Sequence, residues 1–500
     1  QPHLRGITKL PQGKCLSICG EAALYSLVFI LKHTHMQYTS LLKNSIIALV
    51  VVLIVLVPFI APGDGGFLSS WAGSMFFPYI LGKNIAFRVG VLVLLGLWLV
   101  LLCMDARYRP RASLILTALA VFLAVVAVAN MQGVDPFKSF WSNFERMEGY
   151  VTLLFVGAYA LIAGSVLRER KDWLLLWSAS ISGSFVMALF GISEFIQEYV
   201  VSGEAVRIDT TFGNPIYYAV YALVHVFVAL LLLSYIRGNG QRARFYQVLL
   251  VLAAGINALM VVLTLTRGSV LALGAGLLVT AFLTLLFVRK NRIFQWGAGI
   301  VLLLAVVVAG SVVSLRGTEF AAQHQVVDRF VNISLSRDTV EARFMNWGIA
   351  WQGIQERPLL GWGQGNYVHV YAKYYDPHMW GEEPWFDRTH SFIFDWLIAA
   401  GFLGLGAYLF LFVVFFVQLF TAGKEKRNWL WRTLHGRKSS EAFSPEAKAV
   451  LAGLMVAYLL HNAFVFDSLT SYMLLALVLA FVHAQSTKER GAMGKWNTAY

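Results

Sequence analysis

Two arginines and a histidine sit at polar breaks in an otherwise apolar chain. Arg267 is the only charged residue between positions 248 and 288. At a rise of ~1.5 Å per residue, that stretch is two membrane crossings joined by almost nothing, turning at Thr266-Arg267-Gly268-Ser269. Guanidinium suits phosphate because its planar donors bind two oxygens at once. An arginine that snorkels to lipid headgroups fits the position equally well. Arg343 follows Val340 and precedes Trp347, Trp351 and Ile354 at helical spacing. This predicts an interfacial helix capped by Asp338 and ended before Pro358, with Arg343 on the apolar, aromatic face. A cation on that face points to an anionic partner, either a lipid phosphate or a bound substrate. His390 stands in Thr389-His390-Ser391, where the chain re-enters an apolar run, with Asp387, Arg388 and Asp395 nearby. An imidazole takes a proton near neutral pH; at a helix start it also serves purely structural ends. Arg146, in Phe144-Glu145-Arg146-Met147-Glu148-Gly149, and Asn214, in Phe212-Gly213-Asn214-Pro215, fall on the same side. Either residue lines a site or marks a loop or helix start.

These residues are positioned by a membrane bundle. The 500 residues are 58% hydrophobic and 13% charged, against about 25% charged in soluble domains. Apolar runs near 44–62, 84–103, 112–130, 150–167, 173–193, 215–236, 246–266, 269–288, 294–315, 399–420, 446–463 and 468–485 predict about twelve spans. They must be helices, because only a helix satisfies its backbone within one segment in lipid, and barrel-type alternation is lacking. The run 22–31 is too short to cross. The expected organisation is a cytoplasmic tail over 1–43, nine spans over 44–315, a large exterior loop over 316–389, three spans over 390–485, and a second cytoplasmic tail over 486–500. With both termini on one side, that side carries 27 of the 40 Lys and Arg residues, so the termini are expected in the cytoplasm and the long loop outside. The net charge of +13 is therefore a topology signal rather than a nucleic-acid signal. Cys15, Cys19 and Cys103 form neither a zinc framework nor a disulfide scaffold. The basic segment 421–448, with Trp429 and Trp431, is expected on the inner headgroups.

Within the loop, Gly361-Trp362-Gly363-Gln364-Gly365 has no preceding strand and the wrong spacing for a dinucleotide fingerprint, so its glycines predict a tight turn. Trp362, Tyr367, Tyr371, Tyr374, Tyr375, Trp380 and Trp385 follow closely. They suit sugar stacking or an interfacial belt. The run 391–420 is too long for one upright span and predicts a short tilted piece before the crossing.

Thr266-Arg267-Gly268, Arg343 through the glycine turn, and His390 together resemble the O-antigen ligase and polymerase superfamily of bacterial surface-glycan enzymes, over about 215–420. The most specific part is His390-Ser391, nine residues, Gly401, two residues, Gly404. Thr266 stands where that family often has Ser. The resemblance implies an all-α, polytopic, GT-C-like enzyme in the bacterial inner membrane, with its site facing the periplasm. It also implies transfer of a glycan from undecaprenyl diphosphate to an acceptor hydroxyl on a glycolipid, glycan or protein, with no metal or other cofactor and no nucleic acid. Arg267 and Arg343 would hold the diphosphate and His390 would activate the acceptor. Arg146, Asn214 and Asp395 are further site candidates. Polymerases and protein O-oligosaccharyltransferases share this transfer and differ in acceptor. A transporter or flippase is the competing class, favoured by twelve spans but not by cations clustered at one rim.

Overall fold

The computed structural model describes residues 35–62, 73–75, 77–203, 206–236, 238, 240–332, 338–381, 385–422 and 442–487. The tail cysteines Cys15 and Cys19, most of the basic segment 421–448 and most of the C-terminal tail lie outside them, as do the side chains of Asp338 and Val340. The first half contains α1 (His35–Phe59), α2 (Pro78–Met104), α3 (Leu114–Met131), the short α4 (Pro136–Trp141), α5 (Tyr150–Val166), α6 (Arg170–Ser202) and α7 (Pro215–Leu233). Next come α8 (Gln241–Leu263), α9 (Arg267–Phe287) and α10 (Arg292–Leu315). The long polar segment folds into α11 (Glu319–Gln323), α12 (Gln325–Val331), α13 (Asp338–Glu356) and α14 (Tyr367–Lys373). The chain then closes with α15 (Phe392–Thr421), α16 (Pro445–Asn462) and α17 (Leu469–Ser486). No strand occurs among the described residues.

All twelve expected apolar runs fall in helices, and ten of these are long and apolar enough to cross a membrane. The other two are α5, of 17 residues, and α16, whose first turn carries Glu446 and Lys448. This is an all-helical, polytopic membrane protein. Helix α7 runs through its middle and buries nearly every side chain, whereas α10 lies at the periphery with almost none buried.

Small residues set the packing of α9 on α16. A Cβ at Gly276 would stand 2.6 Å from the Gly453 carbonyl, so the two backbones approach closely. Ser269 and His461 are joined across the same seam at 3.0 Å. The apolar run after His390 is divided as expected: Ala400 and Gly401 leave helical geometry inside α15, with Gly401 at φ +64°. The glycine loop docks into that break. Trp362 and Gly363 N–H groups donate to the Ile398 and Ala399 carbonyls at 2.7 and 3.1 Å, and Phe402 N–H donates to the Pro358 carbonyl at 2.8 Å. The orphan backbone groups of both half-helices are thereby satisfied. Gly361, Gly363 and Gly365 all have positive φ, as a tight turn requires. A further seam ties this loop to the first half: Asn130 and Gln364 pair twice at 2.9 Å, and Asn366 donates to Ser139 at 2.9 Å.

Helix α13 forms where expected and ends before Pro358, but its buried face is rotated from the expected stripe. Ala342, Asn346, Ile349, Ala350 and Ile354 are buried, while Trp351 is exposed. Polar fastening explains the rotation: the Asn346 amide donates to the Thr389 carbonyl at 3.2 Å, and Trp347 Nε1 donates to the same oxygen at 2.9 Å. Most of the loop aromatics are core rather than platform. Trp362, Tyr367 and Tyr371 are buried together with Val370, and only Trp380 and Trp385 stand well exposed.

Candidate active site

His390 occupies a left-handed backbone conformation, φ +60°, which costs a non-glycine residue about 1 kcal/mol and marks a held position. The holding groups are visible. Asp395, in the first turn of α15, accepts from the Thr389 N–H at 2.9 Å and from its hydroxyl at 2.7 Å. Trp347, which ties α13 to the Thr389 carbonyl, stacks on Phe394 of α15 with ring centroids 5.4 Å apart. The imidazole lies between the rings of Phe386 and Phe466, each 5.3 Å away. Its Nδ1 faces the Arg388 carbonyl at 3.2 Å. A carbonyl only accepts, so Nδ1 carries the proton and Nε2 of the neutral ring carries the lone pair. Burial and then the Arg343 charge push the His390 pKa down, against the opposing pull of Asp395 and Asp387. The ring is therefore neutral at physiological pH and able to accept a proton.

Arg343 thus lies close enough to His390 for its charge to be felt, and it acts on Arg207 in the same way. Arg267 opens α9 with only three residues between it and the end of α8, so the turn is as short as its sequence predicts. No side chain caps that helix start, and Leu265 in the turn has φ +50°. Arg267 Nε donates to the Arg329 carbonyl at 2.6 Å, and Arg329 Nε returns a bond to the Leu265 carbonyl at 2.8 Å. Arg207 lies against the same turn, donating to the Thr264 carbonyl at 3.2 Å and the Thr266 hydroxyl at 3.3 Å. Four half-buried arginines from four segments therefore gather near the N-terminus of α9. Such a helix end already favours anions.

The remaining candidates hold the scaffold. Arg146 makes a two-pronged pair with Asp387 at 2.5 and 3.0 Å and reaches the Tyr217 hydroxyl at 3.1 Å. Burial works against both charges, yet the pair holds Asp387 below the usual carboxylate range and Arg146 above its own. Asn214 accepts from the Ile216 N–H at 2.9 Å and caps α7. Asp395 fixes the Thr389 turn from below His390. Arg388 bridges Asp395 at 3.5 Å and the buried Glu148 at 3.4 Å. Arg146 and Arg388 both lie over the ring of Phe466, at 5.0 and 4.9 Å. A small cavity of about 30 Å³ lies beside the histidine turn, lined by Glu148, Arg388, Asp395, Asp467 and Tyr472 among others. Neither His390 nor Arg343 lines it. Asp467 in its wall accepts from groups behind it, Tyr408, Asn462 and Ser471 at 2.9–3.0 Å, and also from Tyr458.

Sequence reasoning missed Arg207, Arg329, Glu148 and Phe466. Arg207 had a usable signal, a lone cation in a polar connection between two apolar runs. Phe466 had none, because one phenylalanine among 36 carries no positional information. No curated protein matches the chain. Residues 248–409, the segment that carries Arg267, Arg343 and His390, match the O-antigen ligase family model, which identifies that segment as an O-antigen ligase-type domain.

Proposed function

We propose that this protein is a membrane glycosyltransferase of the O-antigen ligase type. It moves a glycan from undecaprenyl diphosphate to an acceptor hydroxyl on the periplasmic face of the inner membrane. The observation that carries this reading is the placement of Arg343 beside His390, on the side where Arg267 and two more arginines surround an uncapped helix start. In the reaction, the acceptor oxygen attacks the sugar carbon bonded to phosphate. The new C–O bond forms as the carbon–phosphate oxygen bond breaks. His390 Nε2 takes the acceptor proton, and undecaprenyl diphosphate leaves with the bonding electrons. Arg267 and Arg343 neutralise the charge that develops on the leaving group. This is the role that a divalent ion fills in other phosphate-leaving reactions, so transfer is expected to persist in EDTA.

The test is glycan transfer in proteoliposomes with a defined lipid-linked donor and purified acceptors. His390→Ala is expected to lower turnover by about 10²–10⁴-fold, with donor binding retained. Arg343→Ala is expected to weaken donor binding as well. Near-normal transfer by well-folded His390→Ala protein would remove the general base from this scheme.

A further inference from the structure

We infer that Arg207, laid against the turn that carries Arg267, is a third diphosphate-binding guanidinium of this site. The inference rests on the reading of the site given above. Arg207 lies in the connection between α6 and α7, and that connection is firmly built. Glu194 accepts the N–H groups of Asp209 at 3.0 Å and Thr210 at 2.8 Å, and Ile208 is buried against α8. The guanidinium is laid on the turn between α8 and α9 through Nε and Nη2, on Thr264 and Thr266.

A simpler role would be to cap the carbonyl end of α8, where cations are favoured. Arg329 already serves that end through the Leu265 carbonyl. A second cation there, with Arg343 in electrostatic range, adds repulsion that capping does not require. Burial, Arg329 and Arg343 all disfavour the Arg207 charge, and Asp209 alone offsets them in part. The Asp209 charge is itself disfavoured by its surroundings, since burial and the neighbouring Glu194 push its pKa up to about 6. A ligand bearing two adjacent phosphoryl groups reverses this balance. It gives each guanidinium its own oxygens and turns mutual repulsion into shared attraction. A diphosphate carries more acceptor oxygens and more charge over a longer reach than a single phosphoryl group, so it engages Arg207 together with Arg267 and Arg343 more fully.

The experiment measures binding of farnesyl diphosphate and farnesyl monophosphate to the full chain in lipid nanodiscs. Arg207→Gln is expected to weaken diphosphate binding about 10-fold or more, the scale of one lost charge-assisted bond. Monophosphate binding is expected to change less than about 3-fold by the same conversion. Arg207→Lys keeps the cation but loses the planar fork, and is expected to give an intermediate loss of diphosphate binding. It also keeps the question answerable should the glutamine variant fail to fold. Unchanged diphosphate affinity in a folded variant, or equal losses for both ligands, would leave Arg207 as a helix cap and overturn the inference. Failure of the wild-type protein to bind farnesyl diphosphate would instead overturn the reading of the whole site.

Discussion

At the residue scale, the site is governed by charges acting on one imidazole. Arg343 lowers the His390 pKa and Asp395 raises it. The proposed mechanism needs the neutral ring, so kcat/KM is expected to fall as pH drops through that pKa, with its acid limb below the ordinary histidine value of about 6.5. Removing a cation lets the ring hold its proton to higher pH, so Arg343→Gln should move the acid limb up. Removing the carboxylate charge in Asp395→Asn should move it down. Matching profiles in all three proteins would show that His390 does not control the limb. A second prediction concerns Arg146 and Asp387, whose two-pronged contact is only about one-fifth exposed at either end. A double-mutant cycle on thermal stability, using Arg146→Ala and Asp387→Ala, should give a coupling of about 1–3 kcal/mol. Coupling near zero would mean that the contact does not hold the segment before His390. The sequence marked Arg146 as a candidate ligand. Its structural use was not legible, because the partner lies 241 positions away.

At the element scale, the site depends on a helix that is broken on purpose. The excess length of the run after His390 predicted the break, and the motif glycine Gly401 marks where it falls. What periodicity alone did not reveal is the reason for it: the glycine loop enters the gap and bonds to both halves. That contact joins residues about 40 positions apart and depends on backbone, which leaves no pattern of side chains to read. The same limit applies to α13, where aromatic spacing located the helix but a buried Asn346 set its rotation. Glycine substitutions separate the two kinds of position. A Cβ at Gly401 would run into the Leu359 carbonyl at positive φ, whereas nothing lies within 4 Å of a Cβ at Gly406. Gly401→Ala is therefore expected to destabilise the protein by more than about 1 kcal/mol and to depress transfer, while Gly406→Ala stays within about 0.5 kcal/mol. A thermal-shift comparison in detergent reads both, and equal melting temperatures would contradict the docking described above.

At the scale of the whole molecule, composition announced a helical membrane bundle. All twelve expected spans became helices, because in lipid the backbone has no other way to bond within one segment. The arrangement of those helices was not legible, since small residues such as Gly276 and Gly453 carry the packing and look alike wherever they occur. The bundle gathers the arginines, His390 and the polar loop on one side, and the proposed function requires that side to meet a lipid-linked donor at the periplasmic face. The proposed orientation comes from charge: the expected topology assigns 27 of the 40 basic residues to the opposite side, with the termini. Labelling with a membrane-impermeant thiol reagent in intact cells tests this in a background where Cys15, Cys19 and Cys103 are replaced by serine. Gln323, exposed in α11, and Lys290, exposed between α9 and α10, serve as single-cysteine reporters on the two sides. Gln323→Cys should react in intact cells, and Lys290→Cys should react only after permeabilisation. The reverse pattern would put the arginines and His390 in the cytoplasm, where this donor is not displayed, and the proposed transfer would then be untenable.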